Sequence, residues 1–406
     1  MLQEFLSNFV HNLFQPLLLF FYLGFLIPLL KVPFEFPKPI YQGITIYLLL
    51  GIGWHGGERL ATLSPEQFSH ALGFMLIGFI TNTIIGLIAY FTLRKVTKLR
   101  HIDCCVVGGY YGSDSAGTFM TCLGVLAGLN ATAAVYGQEM FGEYSYAPYM
   151  PVMLAVMEIP GCLVALFQVS RLRASGLMDS EGNMPGEAGY QGAEAAAGGE
   201  EGAGNLQPAQ SLSAAANHDA SAKKPGFDWS VLHEVFLNPG LYLLFGGIMI
   251  GFVSALQGKY SEKQVEGVDA FLVTIFEGAL CVFLLEMGMT ACKRLSDLRR
   301  AGLPFVLFGV LMPNVFATFG IVVAHGYSMM LGEPFGYGTY ALFAVLCAAA
   351  SYIAVPAVQR LAVPESSPTL PLAASLGLTF TYNVTIGIPI YILIAKGITS
   401  AFPVIA

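Results

Sequence analysis

Charged side chains are scarce in this chain. Lys, Arg, Asp and Glu make up 11% of its 406 residues while 55% are hydrophobic, whereas a soluble domain has about a quarter of its residues charged. A water-soluble fold could not cover its surface with so few. Other absences narrow the field further. No GxxxxGK[ST] phosphate loop, no nucleophile elbow and no His–carboxylate metal cluster occurs, which argues against a nucleotide-driven pump and against an enzyme. The seven cysteines lie in or beside apolar stretches with neither disulfide nor metal spacing, and read as small packing residues. Residues 1–13 hold no Lys or Arg, and no small-residue cleavage site follows Phe20-Phe21-Tyr22. The first apolar run therefore reads as a retained membrane helix rather than a signal peptide. Nothing in the composition asks for a nucleic-acid partner.

What the sequence does have is apolar length. Runs near 14–30, 40–57, 72–93, 103–129, 146–170, 236–256, 270–289, 302–324, 338–360 and 371–395 are mostly apolar, each close to the roughly 20 residues that cross hydrocarbon. Inside a lipid bilayer the backbone must satisfy its own hydrogen bonds, so these runs predict helices. The expected fold is all-α and integral to the membrane, with about ten transmembrane helices.

Basic residues set the expected orientation. Arg94, Lys95, Lys98 and Arg100, then Arg171, Arg173, Lys223 and Lys224, then Lys293, Arg294, Arg299 and Arg300 all fall on one side of a ten-helix arrangement. The opposite loops are mixed or acidic, with Glu139 and Glu143, or Lys259, Glu262, Lys263 and Glu266. Both termini then lie outside and the middle of the chain is cytoplasmic. Residues 1–173 form a first membrane unit of five helices and 229–406 a second. Between them, 174–228 is rich in Gly, Ala and Glu; its stretch 174–222 holds seven acidic residues and no Lys or Arg, matching the chain's whole net charge of −7. Such a segment buries little apolar surface and predicts a largely disordered linker, serving as a plain connector or as a docking segment.

The two halves look related. Gly53-Trp54-His55-Gly56-Gly57-Glu58-Arg59-Leu60-Ala61-Thr62-Leu63 aligns with Gly288-Met289-Thr290-Ala291-Cys292-Lys293-Arg294-Leu295-Ser296-Asp297-Leu298, with Gly, Arg and two Leu matching at one offset. Five helices per half, an odd number, invert the second copy relative to the first, as in many secondary transporters. The same offset sets Gly112-Ser113-Asp114-Ser115-Ala116-Gly117-Thr118 of the fourth helix opposite Cys347-Ala348-Ala349-Ala350-Ser351-Tyr352-Ile353 of the ninth. Both stretches disfavour a regular helix: three glycines crowd Gly108–Gly112, and Pro356 follows the second. Interrupted fourth and ninth helices are therefore expected. A broken helix exposes N–H groups and the positive dipole end to an anion, while carbonyls, hydroxyls and carboxylates suit a hard cation. Small residues also serve tight helix packing, which remains the alternative for either stretch alone.

An acid inside a span costs several kcal/mol unless paired or hydrated, so Asp114 and Glu158 are candidates for a coupling-ion site, with Glu286 behind them and Glu277 shallower. Thr118 joins them as a hydroxyl ligand. Asn383 and Thr385 are candidate oxygen ligands, although interhelical hydrogen bonding explains them as well. His55, His325, Trp54, Tyr110 and Tyr111 read as packing or interface residues.

These residues carry a resemblance. Gly108-Gly109-Tyr110-Tyr111-Gly112-Ser113-Asp114-Ser115-Ala116-Gly117-Thr118-Phe119 resembles the fourth-helix signature of the sodium-dependent bicarbonate transporters of SbtA type. Met157-Glu158-Ile159-Pro160, Met287-Gly288-Met289, the run Ala350-Ser351-Tyr352-Ile353-Ala354-Val355-Pro356-Ala357-Val358-Gln359-Arg360, Val363-Pro364-Glu365-Ser366-Ser367-Pro368 and Ile386-Gly387-Ile388-Pro389 continue it, leaving out the linker. It implies a core-and-gate fold of 5+5 inverted repeats, a homotrimer in the plasma (inner) membrane, and Na⁺-coupled bicarbonate uptake by an elevator-like movement. It also implies a possible PII-like regulatory protein at the cytoplasmic face. The anion site would fall on Gly112, Ser113, Ser115, Ala116, Gly117, Ala350, Ser351 and Tyr352, and the Na⁺ site on Asp114, Thr118, Glu158, Asn383 and Thr385. Asp114 stands where the family pattern has an apolar residue. The expected activity is Na⁺-coupled symport of a small anion, with another anion, an uncoupled channel, or a receptor signalling through the linker as rivals.

Overall fold

The computed structural model describes residues 13–135, 144–192, 239–257, 267–295, 298, 302–352, 355–356, 359 and 362–404. Within them the chain is helical and no strand occurs. In the first half the helices are α1 (Pro16–Leu29), α2 (Lys38–Leu60), α3 (Pro65–Val96), α4 (His101–Tyr111), α5 (Ala116–Val135) and α6 (Met150–Ala174). The second half holds α7 (Pro239–Gln257), α8 (Phe276–Leu295), α9 (Leu303–Leu331), α10 (Tyr337–Ala348) and α11 (Leu370–Ala401). Proline opens the first turn of α1, α2, α3, α6 and α9, where its missing N–H costs nothing. Ser64 and Gln67 close a reciprocal capping box at the start of α3.

Six of these helices are long and apolar enough to cross a bilayer: α3, α6, α7, α9, α11 and the segment Gly267–Leu295 that contains α8. Pro16–Leu29 and Tyr337–Ala348 are apolar but shorter. A count of ten spans additionally needs α2, and needs α4 with α5 to be taken as one crossing. The outward faces agree with lipid. On α3, Phe68, Leu72, Leu76, Ile80, Ile84, Ile88 and Phe91 are exposed, while Phe74, Asn82, Ile85 and Ala89 on the other side are buried. An apolar stripe of this length facing outward suits a surface covered by hydrocarbon or by another protein. The protein is a multi-pass membrane protein.

Two sets of helices pack together. In one, α2 lies along α7 and α1 along α8. Glycines bring these backbones close: a methyl on Gly53 would stand 2.5 Å from the Leu244 carbonyl oxygen and 2.9 Å from Gly247 Cα, and one on Gly288 would meet the Phe21 carbonyl. Gly53 and Gly288 are the glycines that align between the halves. In the other set, α3, α4 and α6 pack with one another, α9, α10 and α11 do likewise, and α10 also touches α5 and α6. All seven cysteines are free.

The expected disorder of 174–228 does not hold for its first part. Residues 175–192 form a hydrogen-bonded loop, whereas 193–228 lie outside the described residues, as do Glu139, Glu143, Lys259, Glu262, Lys263 and Glu266. The loop is organised by one carboxylate. Asp179 is buried and accepts hydrogen bonds from the Glu181, Asn183 and Gln191 backbone N–H groups at 3.0, 2.8 and 3.0 Å, and from Asn183 Nδ2 at 3.2 Å. Glu187 accepts from the His101 and Met184 N–H groups. Arg100 spans the junction, forking onto Asp103 while donating to the Glu181 and Glu365 carbonyls. Arg173 reaches both oxygens of Glu365 at 2.9 Å. Composition hid this, because side-chain-to-backbone bonds rather than buried apolar area hold the loop.

Candidate functional site

The local geometry begins with two places where helical hydrogen bonding stops. α4 ends at Tyr111, with Gly112 N–H closing the last bond onto the Gly108 carbonyl at 2.9 Å. Gly112, Ser113, Asp114 and Ser115 are non-helical, and α5 starts at Ala116. A methyl at Gly112 would stand 2.8 Å from Gly86 Cα and 3.1 Å from the Asn82 carbonyl oxygen, so α3 can lie here only against glycine. Ser115 caps α5: its Oγ accepts from Thr118 N–H at 3.2 Å and from the Thr118 hydroxyl at 3.0 Å. The second stop is at Ala348, the end of α10, after which Ala349 turns extended at ψ 171°.

One bond joins the two stops, and amides from α3 and α11 meet the carbonyls at the end of α10. A helix leaves its last four carbonyls without partners. At the end of α4, the Tyr110 carbonyl accepts the Ser351 N–H at 2.8 Å. At the end of α10, the Ala348 carbonyl accepts Asn383 Nδ2 at 3.1 Å and the Leu346 carbonyl accepts Asn82 Nδ2 at 3.5 Å. The Tyr110 hydroxyl donates to Gln359 Oε1 at 2.6 Å, and Tyr111 pairs with Thr379 at 2.6 Å. Residues near 110–118 and 346–352 therefore meet in one buried crossing.

Within it, Asp114 stands out. It is 1% exposed, and neither of its carboxylate oxygens has a hydrogen-bond partner. It lies close to the Glu158 carboxyl and the Cys347 thiol. Ser113 donates to the Glu158 carbonyl at 2.8 Å, tying the stretch to α6. Buried orphan oxygens of this kind mark a place built for a cation or water. Among the described residues no group of three or more His, Cys, Asp or Glu side chains could hold a metal, so any cation here would rest on amide, hydroxyl and carbonyl oxygens with at most the Asp114 and Glu158 carboxylates, a donor set for a hard ion.

Aromatic rings close the α5 end of the crossing. The Tyr352 hydroxyl, buried and without a well-formed hydrogen bond, lies against Gly117. A methyl on Gly117 would also meet Phe283 at 3.1 Å and Phe380 at 3.3 Å. Tyr352 packs edge-on to Phe380 and Tyr41 stacks on Phe283, at centroid distances of 5.8 and 5.9 Å.

The structure thus gathers Gly112, Ser113, Asp114, Ser115, Ala116, Gly117, Thr118, Ser351, Tyr352 and Glu158 around one crossing, with Ala350 buried beside Ser351. Asn383 is there too, but both ends of its amide are engaged, Nδ2 with Ala348 and Oδ1 with the Tyr391 hydroxyl at 2.6 Å. Thr385 bonds back to the Thr381 carbonyl at 2.6 Å, within a π-helical turn, Asn383–Gly387, that packs on α5. Glu286 sits apart on α8, with Thr290 on one oxygen and nothing on the other. Glu277 and His55 line a separate cavity of about 300 Å³ with Arg59, Asn130 and Tyr146. His325 is a packing residue held by Tyr340 and the Phe402 carbonyl, and Trp54 donates to Asp269 at 2.6 Å. Sequence reasoning missed Asn82. An amide amid the apolar run of α3 was the same signal that singled out Asp114 and Asn383.

A family model for the Na⁺-dependent bicarbonate transporter superfamily matches residues 16–396. The chain belongs to that superfamily. The match covers both halves and contains every residue of the crossing, so the protein is a transporter and not an enzyme. No curated protein matches the chain.

Proposed function

We propose that this member of the superfamily is a Na⁺-coupled symporter that takes up a small anion, with bicarbonate the best fit, by elevator-like alternating access. One observation carries the reading: a fully buried carboxylate, Asp114, with both oxygens free of partners, beside the capped start of α5 where two helix ends bond across at Tyr110 and Ser351. A lone buried carboxylate is costly to keep ionised, and a bound cation offsets that cost.

The assignment of roles follows from charge. Na⁺ bound by Asp114, Thr118 and Glu158, with Asn383 and Thr385 offering remaining lone pairs from α11, neutralises the site. The anion then lies against Gly112, Ser113, Ser115, Ala116 and Gly117, with Ala350, Ser351 and Tyr352 opposite, where N–H groups and the α5 dipole favour negative charge. Without Na⁺, Asp114 repels the anion, and this ordering is the coupling. The reading includes ten spans in a 5+5 inverted repeat, with the α3–α6 and α9–α11 set as the moving core and α1, α2, α7 and α8 as the gate. The matching roles of Gly53 and Gly288 favour that repeat. The same reading puts both termini outside, the linker in the cytoplasm, and a homotrimer in the inner membrane, with a PII-like protein as a possible regulator of the cytoplasmic face.

The test is labelled bicarbonate uptake into proteoliposomes with and without an inward Na⁺ gradient. Saturable uptake that collapses without Na⁺ is expected. Na⁺-independent flux would make the chain an uncoupled pore, and uptake of a different anion alone would overturn the substrate.

A further inference from the structure

Asn82 is fully buried on α3 and its two amide ends are in opposite situations. Nδ2 donates to the Met157 carbonyl at 2.9 Å and to the Leu346 carbonyl at 3.5 Å. A flipped amide would set oxygen against two carbonyl oxygens, so the hydrogen bonds fix the orientation. Oδ1 therefore faces away from both carbonyls, and it has no partner. The two carbonyls sit one residue before Glu158 and one before Cys347, both of which lie close to Asp114. The Asn82 backbone lies over Gly112, two residues from Asp114. Asn82 Oδ1 and both oxygens of Asp114 are thus three orphaned, buried acceptors at one crossing. Among the described residues the Tyr352 hydroxyl is likewise unpartnered, against Gly117, while the orphan acceptors Asn130 Oδ1 and Glu286 Oε2 lie at the separate cavity and on α8.

We propose that Asn82 Oδ1 is a direct ligand of the coupling cation, held in place by the two hydrogen bonds that its amide makes to α6 and α10. This rests on the Na⁺-coupled reading above. The chemistry fits a small alkali cation: neutral amide and hydroxyl oxygens together with the carboxylates of Asp114 and Glu158. A divalent ion would want more carboxylates. Because the ligand is tied to both α6 and α10, the cation site and the crossing of the two halves share one anchor. Losing it changes the geometry presented to the cation more than that presented to the anion. The competing occupant is a buried water bridging the same oxygens, which Na⁺ concentration would not affect.

The experiment uses the purified full-length chain, with Asn82→Ala and Asn82→Asp beside the unmodified protein. Two readouts are taken: the Na⁺-dependent rise in thermal unfolding temperature in detergent, with Li⁺ and K⁺ as comparison cations, and the half-saturating Na⁺ for bicarbonate uptake in proteoliposomes. Asn82→Ala is expected to raise half-saturating Na⁺ at least tenfold and flatten the Na⁺-dependent thermal rise, with the anion KM at saturating Na⁺ nearly unchanged. Asn82→Asp keeps an oxygen at the ligand position and is expected to keep the thermal rise. A half-saturating Na⁺ within twofold for Asn82→Ala overturns the ligand role. If Asn82→Ala does not fold, loss of the Na⁺ response in a folded Asn82→Asp overturns it equally. An unmodified protein with no Na⁺ response in either assay removes the coupling reading itself, and this inference with it.

Discussion

Replacing Asp114 by Asn separates a cation-binding carboxylate from one that fills space or serves the fold, because the roles predict different combinations of Na⁺ requirement and stability. The side chain keeps its shape but loses its charge, in a site where neither oxygen has a partner and the residue is 1% exposed. If the carboxylate only filled space, removing an unpaired buried charge would relieve strain and leave transport alone. If it ligates Na⁺, the cation loses a charged oxygen contact. A contact to a charged group contributes about 1.5–3 kcal/mol, so half-saturating Na⁺ should rise roughly tenfold to a hundredfold at about 1.4 kcal/mol per decade. In the absence of Na⁺ the variant should be as stable as the parent or more so, since no ionised group must be held dry beside Glu158. Bicarbonate uptake against external Na⁺, paired with thermal unfolding in Na⁺-free buffer, reads both quantities. An unchanged Na⁺ requirement would refute the reasoning. So would a variant that is less stable without Na⁺, since Asp114 would then be serving the fold.

Gly117→Ala should abolish uptake, because its methyl meets the Tyr352 hydroxyl, Phe283 and Phe380; overpacking of this kind costs about 1–3 kcal/mol. Adding Tyr352→Phe should restore part of the activity by removing the oxygen it strikes, and a double variant no better than Gly117→Ala would argue against that contact. Asn383→Ala should destabilise the protein by about 1–3 kcal/mol, since it leaves the Ala348 carbonyl and the Tyr391 hydroxyl without partners; thermal unfolding measures it. Burial pushes the Asp179 carboxyl up, but the hydrogen bonds from Asn183, Gln191 and Glu181 outweigh it and hold it below the usual carboxylate range. Its contribution to docking the 175–192 loop is therefore complete above about pH 4 and is lost as pH falls through the lowered value. Hydrogen exchange of the loop amides as pH is lowered should show that loosening, and Asp179→Asn should show it at neutral pH.

Much of this protein could be read before any coordinate. The apolar runs announced helices because lipid offers the backbone no partner. Asp114 announced itself because an acid amid such runs has a high solvation cost. Gly112 marked where α4 stops, whereas Gly108 and Gly109 lie within α4, and Pro356 is itself helical while α10 already ends at Ala348. Three things stayed hidden. The 175–192 loop looked like solvent-swollen linker because its order comes from Asp179, Glu187 and Arg100 bonding to backbone groups, which composition does not register. Asn82 was passed over because, in one dimension, a single amide in α3 has no visible neighbours. The π-helical turns of α11, Ala373–Phe380 and Asn383–Gly387, carry no residue pattern that separates them from ordinary helix.

By itself, then, the order of residues determined that the chain is a helical membrane protein with two weak, small-residue stretches and an acid in one of them. Those properties depend on local hydration and propensity, which act within a few residues. Only the tertiary structure decided that the carbonyl ends of α4 and α10 are satisfied across the crossing, by Ser351, Asn82 and Asn383, and that Asp114 is left with none of those donors. Hydrogen bonds between segments that are distant in the chain are set by packing, and packing is where the choice between a paired and an unpaired carboxylate is made.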